Sequence, residues 1–119
     1  MRYRAKVFIG KGRGRRMRFP TLNLVIPPDF SSPQGIYAGW VWISGKQYPG
    51  AFHFGPIPTF GESAVSLEVF LIDTELAETP ATIEFELVKH LRAIQSFSNP
   101  EELALQIKKD VEDAKKILE

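Results

Sequence analysis

Thr21 and Asn23 stand two residues apart in Phe19-Pro20-Thr21-Leu22-Asn23-Leu24-Val25-Ile26. On a strand that spacing sends both side chains off the same face. A hydroxyl and a carboxamide oxygen side by side are hard, neutral donors. Such a pair suits Mg²⁺, which keeps several waters and completes its shell with substrate phosphates. A Thr and an Asn hydrogen-bonding beside a turn account for the same two residues. Glu68 lies between Leu67 and Val69, with Phe70 and Ile72 following it on its own face. Those apolar neighbours argue against an open surface position, and a carboxylate in a cleft can act as general base toward a hydroxyl. The third candidate is Gly10-Lys11-Gly12-Arg13-Gly14-Arg15-Arg16. Its glycines let backbone N–H groups approach phosphate oxygens, and its cations add charge. Its spacing is neither that of a P-loop nor that of a dinucleotide fingerprint. A flexible basic hairpin or an RNA-binding loop fits it equally. His53 and His90 read as isolated, packed or solvent-facing side chains, and Asp73-Thr74-Glu75 as a solvated turn.

Positioning these residues falls mainly to strands. Tyr3, Ala5, Val7 and Ile9 alternate with mostly polar neighbours, as in a half-buried strand. A second short strand follows Pro20 and stops at Pro27-Pro28. Gly35 to Ile43 is rich in aromatic and β-branched residues, and Ser44-Gly45 predicts a tight turn that returns Lys46 to Phe54 as a hairpin. Proline at every second position makes Gly55 to Gly61 a loop. Val65 to Ile72 and Ala81 to Leu87 complete six strands, which favours an antiparallel barrel or sandwich. At Ser98-Asn99-Pro100-Glu101-Glu102 the period changes: Asn99 suits an N-cap, Pro100 the first helical position and Glu102 a capping box. Leu103, Ile107, Val111, Ala114 and Leu118 then share one face of a helix of about five turns that packs on the barrel.

The 119 residues suffice for one domain spanning 1–119, and 44% hydrophobic content suffices for a core. The absence of cysteine excludes disulfides, thiolate metal sites and a cysteine nucleophile, and two histidines exclude a histidine-rich metal site. No apolar run approaches the roughly 20 residues a membrane span needs, and Met1 is not followed by an apolar signal core. A cytoplasmic protein without membrane partners is expected. The net charge of +1 hides an asymmetry: residues 1–18 carry 8 basic side chains and no acid, leaving 7 basic against 14 acidic residues elsewhere. A basic arm on an acidic body predicts an anionic partner near the N-terminus.

Read in order, these segments resemble the riboflavin kinase family over nearly the whole chain. The landmarks are Gly12-Arg13-Gly14-Arg15, Phe19-Pro20-Thr21-Leu22-Asn23-Leu24, Gly35-Ile36-Tyr37-Ala38-Gly39-Trp40, Pro58-Thr59-Phe60-Gly61, Leu67-Glu68-Val69, Leu91-Arg92, and Phe97 before the capped helix. The resemblance implies a mainly β fold, a six-stranded antiparallel Greek-key barrel with one C-terminal α-helix packed on it. It implies transfer of the γ-phosphoryl of ATP to the ribityl 5′-hydroxyl of riboflavin with Mg²⁺, in a monomer whose partners are these small molecules rather than nucleic acid. It makes Thr21 a metal ligand, Asn23 a holder of the metal–phosphate group and Glu68 the catalytic base. Gly10, Gly12, Arg13, Gly14, Arg15 and Pro20, together with Thr21, would hold the nucleotide. Leu91 to Phe97 would close over the flavin, with Arg92 as its cation and Phe97 as a further contact. Arg18, Ile57, His53, Phe70, Ile94 and Ser96 depart from the family's usual residues, so a catalytically impaired flavin- or nucleotide-binding module is the alternative. A nucleic-acid-binding barrel ranks below it, because no aromatic ladder interleaves the basic residues. Without the nucleotidyltransferase half of bacterial bifunctional relatives, the reaction is expected to stop at FMN.

Overall fold

The computed structural model describes residues 1–8, 21–56 and 64–119. Six strands run in the order β1 (Tyr3–Phe8), β2 (Thr21–Leu24), β3 (Gly35–Ile43), β4 (Lys46–Gly55), β5 (Ser66–Leu71) and β6 (Thr82–Arg92), followed by helix α1 (Pro100–Leu118). They close a barrel in the spatial order β1-β2-β5-β4-β3-β6, with every neighbouring pair antiparallel. Strands β3, β4 and β5 are a meander and β6 returns to lie beside β3, which is a Greek key.

The β3–β4 hairpin is local chemistry. Ile43 pairs with Lys46 across a two-residue loop in which Ser44 and Gly45 have φ of 50° and 81°. Positive φ at both central residues gives the turn whose twist matches paired strands. Alternation then sorts side chains to two cores. Tyr3, Leu24, Tyr37, Val41, Phe52, Leu67, Val69, Ile83 and Phe85 fill the barrel. Phe30, from the β2–β3 connection, packs its ring against Tyr3, Phe54 and Phe85. The second core lies outside, where Ala38, Ile72 and Ala114 are buried and Ala51, Phe70, Leu91, Val111, Ile117 and Leu118 pack around them. Ala38 and Ala51 are cross-strand partners, and two methyl side chains side by side let α1 approach the wall at Ala114.

The cap of α1 forms at Asn99 as predicted, except that Glu102 reaches back to the N–H of Ser98 rather than to that of the N-cap residue. Asn99 Oδ1 accepts from the Glu102 backbone N–H at 2.9 Å, the Glu102 carboxylate accepts from the Ser98 N–H at 3.3 Å, and Pro100 occupies the first turn. Strand boundaries differ from expectation chiefly at β6, which runs to Arg92 rather than ending at Leu87. Its pairing with β3 skips Val88 and Leu91, so two bulges interrupt the alternation from which a strand is read. The second bulge re-aims consecutive residues: Leu91 joins the outer core while Arg92 also meets α1. Among the described residues, no helix is long and apolar enough to cross a membrane.

Candidate functional site

On β2, Leu22 and Leu24 turn to the barrel core, which leaves Thr21 and Asn23 on the outer wall. On β5, Leu67, Val69 and Leu71 turn inward, which leaves Ser66, Glu68 and Phe70 outside. The β2–β5 register makes Asn23 the direct partner of Glu68 and Thr21 that of Phe70. Cross-strand partners on one face hold their Cβ atoms about 5 Å apart. A carboxamide and a hydroxyl thus share a wall with one carboxylate, each half-buried. Phe70 belongs to the core beneath α1, so Glu68 stands at the margin of helix-covered surface rather than on an open strand.

The same row continues around the wall. Glu68 pairs with His53 on β4, His53 with Ile36 on β3, and Ile36 with Arg92 on β6. His53, read as isolated from the sequence, is therefore the immediate neighbour of Glu68, and its Nε2 lies 3.1 Å from the Pro56 carbonyl oxygen. A single histidine among apolar residues signals nothing by itself; its place follows from the pairing of β4 with β5, two strands distant along the chain from Thr21 and Asn23. His90 is exposed, edge-on to the Tyr37 ring at 5.0 Å, and its Nε2 lies 3.4 Å from the Gln34 carbonyl oxygen.

Arg92 ends the row in an ion pair. Its Nε donates to Asp110 Oδ1 at 2.9 Å and its NH2 group to Asp110 Oδ2 at 2.8 Å, while Gln106 Nε2 donates to Oδ1 at 3.0 Å. The remaining guanidinium nitrogen donates to the Ala93 carbonyl at 3.0 Å, and the Phe97 ring centroid lies 5.9 Å from the guanidinium carbon. The sequence did not single out Asp110 or Gln106 as partners of Arg92. Asp110 nonetheless falls in step with Leu103, Ile107, Ala114 and Ile117, and a carboxylate on the covered face of a helix is the signal that could have found it.

Thr21, Asn23 and Glu68 are thus brought together, with Arg92 and Phe97 at the other end of the row. Gly10, Gly12, Arg13, Gly14, Arg15 and Pro20, together with Arg18, Ile57 and Pro58 to Gly61, lie outside the described residues. Thr21 and Asn23 suit Mg²⁺ as neutral oxygen donors that leave most of the coordination shell to phosphate and water. No group of three His, Cys, Asp or Glu able to hold a metal occurs among the described residues.

The family model described as riboflavin kinase (Flavokinase) matches residues 1–118. The chain is 35% identical over 112 residues to the bifunctional riboflavin kinase/FMN adenylyltransferase of Bacillus subtilis, covering 91% of this chain and 35% of that protein. It therefore spans about a third of the length of the curated relatives it matches. Among solved structures, a macrolide-efflux protein from Streptococcus pneumoniae superimposes with a TM-score of 0.82 at 26% identity, over 96% of this chain and 38% of that one. Riboflavin kinase from Trypanosoma brucei superimposes with a TM-score of 0.63 at 21% identity, over 98% of this chain and 78% of that one, a likeness of fold.

Proposed function

Because this chain belongs to the riboflavin kinase family, we propose that it transfers the γ-phosphoryl group of ATP to the ribityl 5′-hydroxyl of riboflavin, releasing FMN and ADP. The observation that carries this reading is the pairing of Asn23 with Glu68 on one outer wall, with Thr21 on the same face. Phosphoryl transfer asks a protein mainly for alignment and charge neutralisation. Glu68 takes the proton of the 5′-hydroxyl as its oxygen bonds to the γ-phosphorus and the bond to the departing ADP oxygen breaks. Thr21 and Asn23 would hold Mg²⁺ together with the nucleotide phosphates, whose charge the bound ion would neutralise. Gly10 to Arg16 and Pro20 bind the nucleotide in this reading, through backbone donors and arginine charge.

The row from Glu68 through His53 and Ile36 to Arg92 covers three inter-strand steps, roughly 14 Å along the wall. A flavin whose 5′-hydroxyl reaches Glu68 extends its ring system along this row toward Arg92 and Phe97. The protein acts in this reading as a cytoplasmic monomer on small molecules, without nucleic acid or membrane. Incubation with riboflavin, ATP and Mg²⁺, followed by separation of flavins, tests it: FMN and ADP are expected in equal amounts. Failure to form either, with riboflavin and ATP both saturating, discards the kinase. Flavin binding without ADP release assigns the chain instead to a binding module.

A further inference from the structure

We propose that Asp110 is a positioning residue for the flavin, holding the segment 93–97 in place through Arg92. The proposal rests on the kinase reading for its substrate. Asp110 is 4% exposed, the buried charged side chain among the described residues. It sits on α1, yet its carboxylate is spent on a guanidinium from the end of β6, in a two-point geometry with both oxygens engaged. Gln106, one turn earlier on the helix, donates a third hydrogen bond and fixes the carboxylate from its own side. Such an arrangement is expensive to bury, and an apolar pair of similar volume often serves stability as well or better. Its distinctive product is direction. A planar fork held at two points leaves the third guanidinium nitrogen aimed one way, and here that nitrogen holds the Ala93 carbonyl.

From Ala93 the chain runs on toward the end of β4. A Cβ built on Gly55 would come within 3.0 Å of Ile94 Cγ1, so Ile94 lies against the end of β4, two residues beyond His53. Phe97 remains beside the guanidinium. The segment thus starts at the clamp, touches the end of β4 beside the row and returns to the guanidinium at Phe97. Because Asp110 neutralises it, Arg92 contributes orientation here rather than unpaired positive charge. Releasing the clamp frees Ala93 and, with it, the placement of Ile94 and Phe97 against the flavin. The nucleotide, held at the opposite end of the row, is not affected.

The test compares wild type, Asp110→Asn and the apolar double variant Arg92→Met/Asp110→Leu, in amide exchange across 93–98 and in steady-state kinetics. In both variants we expect faster exchange in that segment and a riboflavin KM raised about 10- to 100-fold, the scale of a lost charge-assisted hydrogen bond, with the KM for ATP unchanged. The double variant separates positioning from stability, since its melting temperature should stay near wild type while its riboflavin KM does not recover. Wild-type exchange and riboflavin KM in a folded double variant would overturn the proposal, as would a riboflavin KM that recovers in step with melting temperature. If the wild type forms no FMN, the kinase reading falls by itself. Exchange across 93–98 and riboflavin affinity, read from quenching of its fluorescence, then decide the clamp. Unchanged values in the double variant overturn it, and faster exchange with weaker binding supports it.

Discussion

Glu68 is where sequence and geometry bear most directly on each other. Its strand supplies two apolar neighbours on its own face, Phe70 and Ile72, and the structure accounts for both by covering them with α1. The carboxylate next to them is left at the margin of that cover, opposite Asn23 and beside His53. If Glu68 takes the hydroxyl proton, Glu68→Gln keeps the shape and removes the base. Turnover should then fall by about 10²–10⁴-fold while nucleotide affinity stays near wild type. Single-turnover FMN formation beside a nucleotide-binding titration checks this, and undiminished turnover would remove Glu68 from the chemistry. The shared face of Thr21, Asn23 and Glu68 was legible because each lies in a short pattern whose alternation fixes its side of the strand. The neighbours of His53 and Asp110 were not, because they are brought near by strand register in one case and by helix docking in the other.

The elements divide in the same way. The cap of α1 and the Ser44-Gly45 turn are written within a few consecutive residues, and both form where those residues require. Asn99→Ala removes the acceptor of the Glu102 N–H and should cost about 1 kcal/mol, read as a shift in denaturation midpoint with unchanged slope. The length of β6 was not legible, because bulges at Val88 and Leu91 answer to β3 rather than to neighbours in sequence. Close approach between strands is equally non-local. A Cβ on Gly39 would stand 2.3 Å from the Glu86 carbonyl oxygen and 2.8 Å from Phe52 Cε1. The ring can turn, but the carbonyl belongs to the paired β6 backbone. Gly39→Ala should therefore destabilise by about 1–3 kcal/mol, the scale of an overpacked core. A midpoint equal to wild type would mean that the β3–β6 pair yields more easily than its hydrogen bonding suggests.

At the scale of the molecule, part of the basic N-terminal segment is already answered by the barrel itself. The Met1 ammonium pairs with Glu86, while Arg2 pairs with Glu84 and lies 3.6 Å over the Trp42 ring. Exposed pairs of this kind hold little stability. At alkaline pH the response of the fold depends on which protons the folded chain keeps. The Tyr37 hydroxyl donates to the Pro33 carbonyl, which ties the β2–β3 connection carrying Phe30 to the wall, and burial raises its pKa above 10.0. A raised pKa means that the folded chain keeps a proton which the unfolded chain releases, so stability falls as pH climbs from about 10 through the folded-state value. Lys115, raised by its hydrogen bond and ion pair with Asp73, acts in the same direction from about 10.5 upward. Comparing wild type with Tyr37→Phe isolates the phenol, because Lys115 is common to both. At pH 8 wild type should be more stable by about 1 kcal/mol, the worth of one hydrogen bond. Above pH 10 that margin should shrink, because the unfolded chain releases a phenol proton that the folded chain keeps and phenylalanine has none to release. Denaturant midpoints of both proteins at pH 8, 9, 10 and 11 measure the margin, and a constant gap across the series would show that Tyr37 does not govern alkaline unfolding.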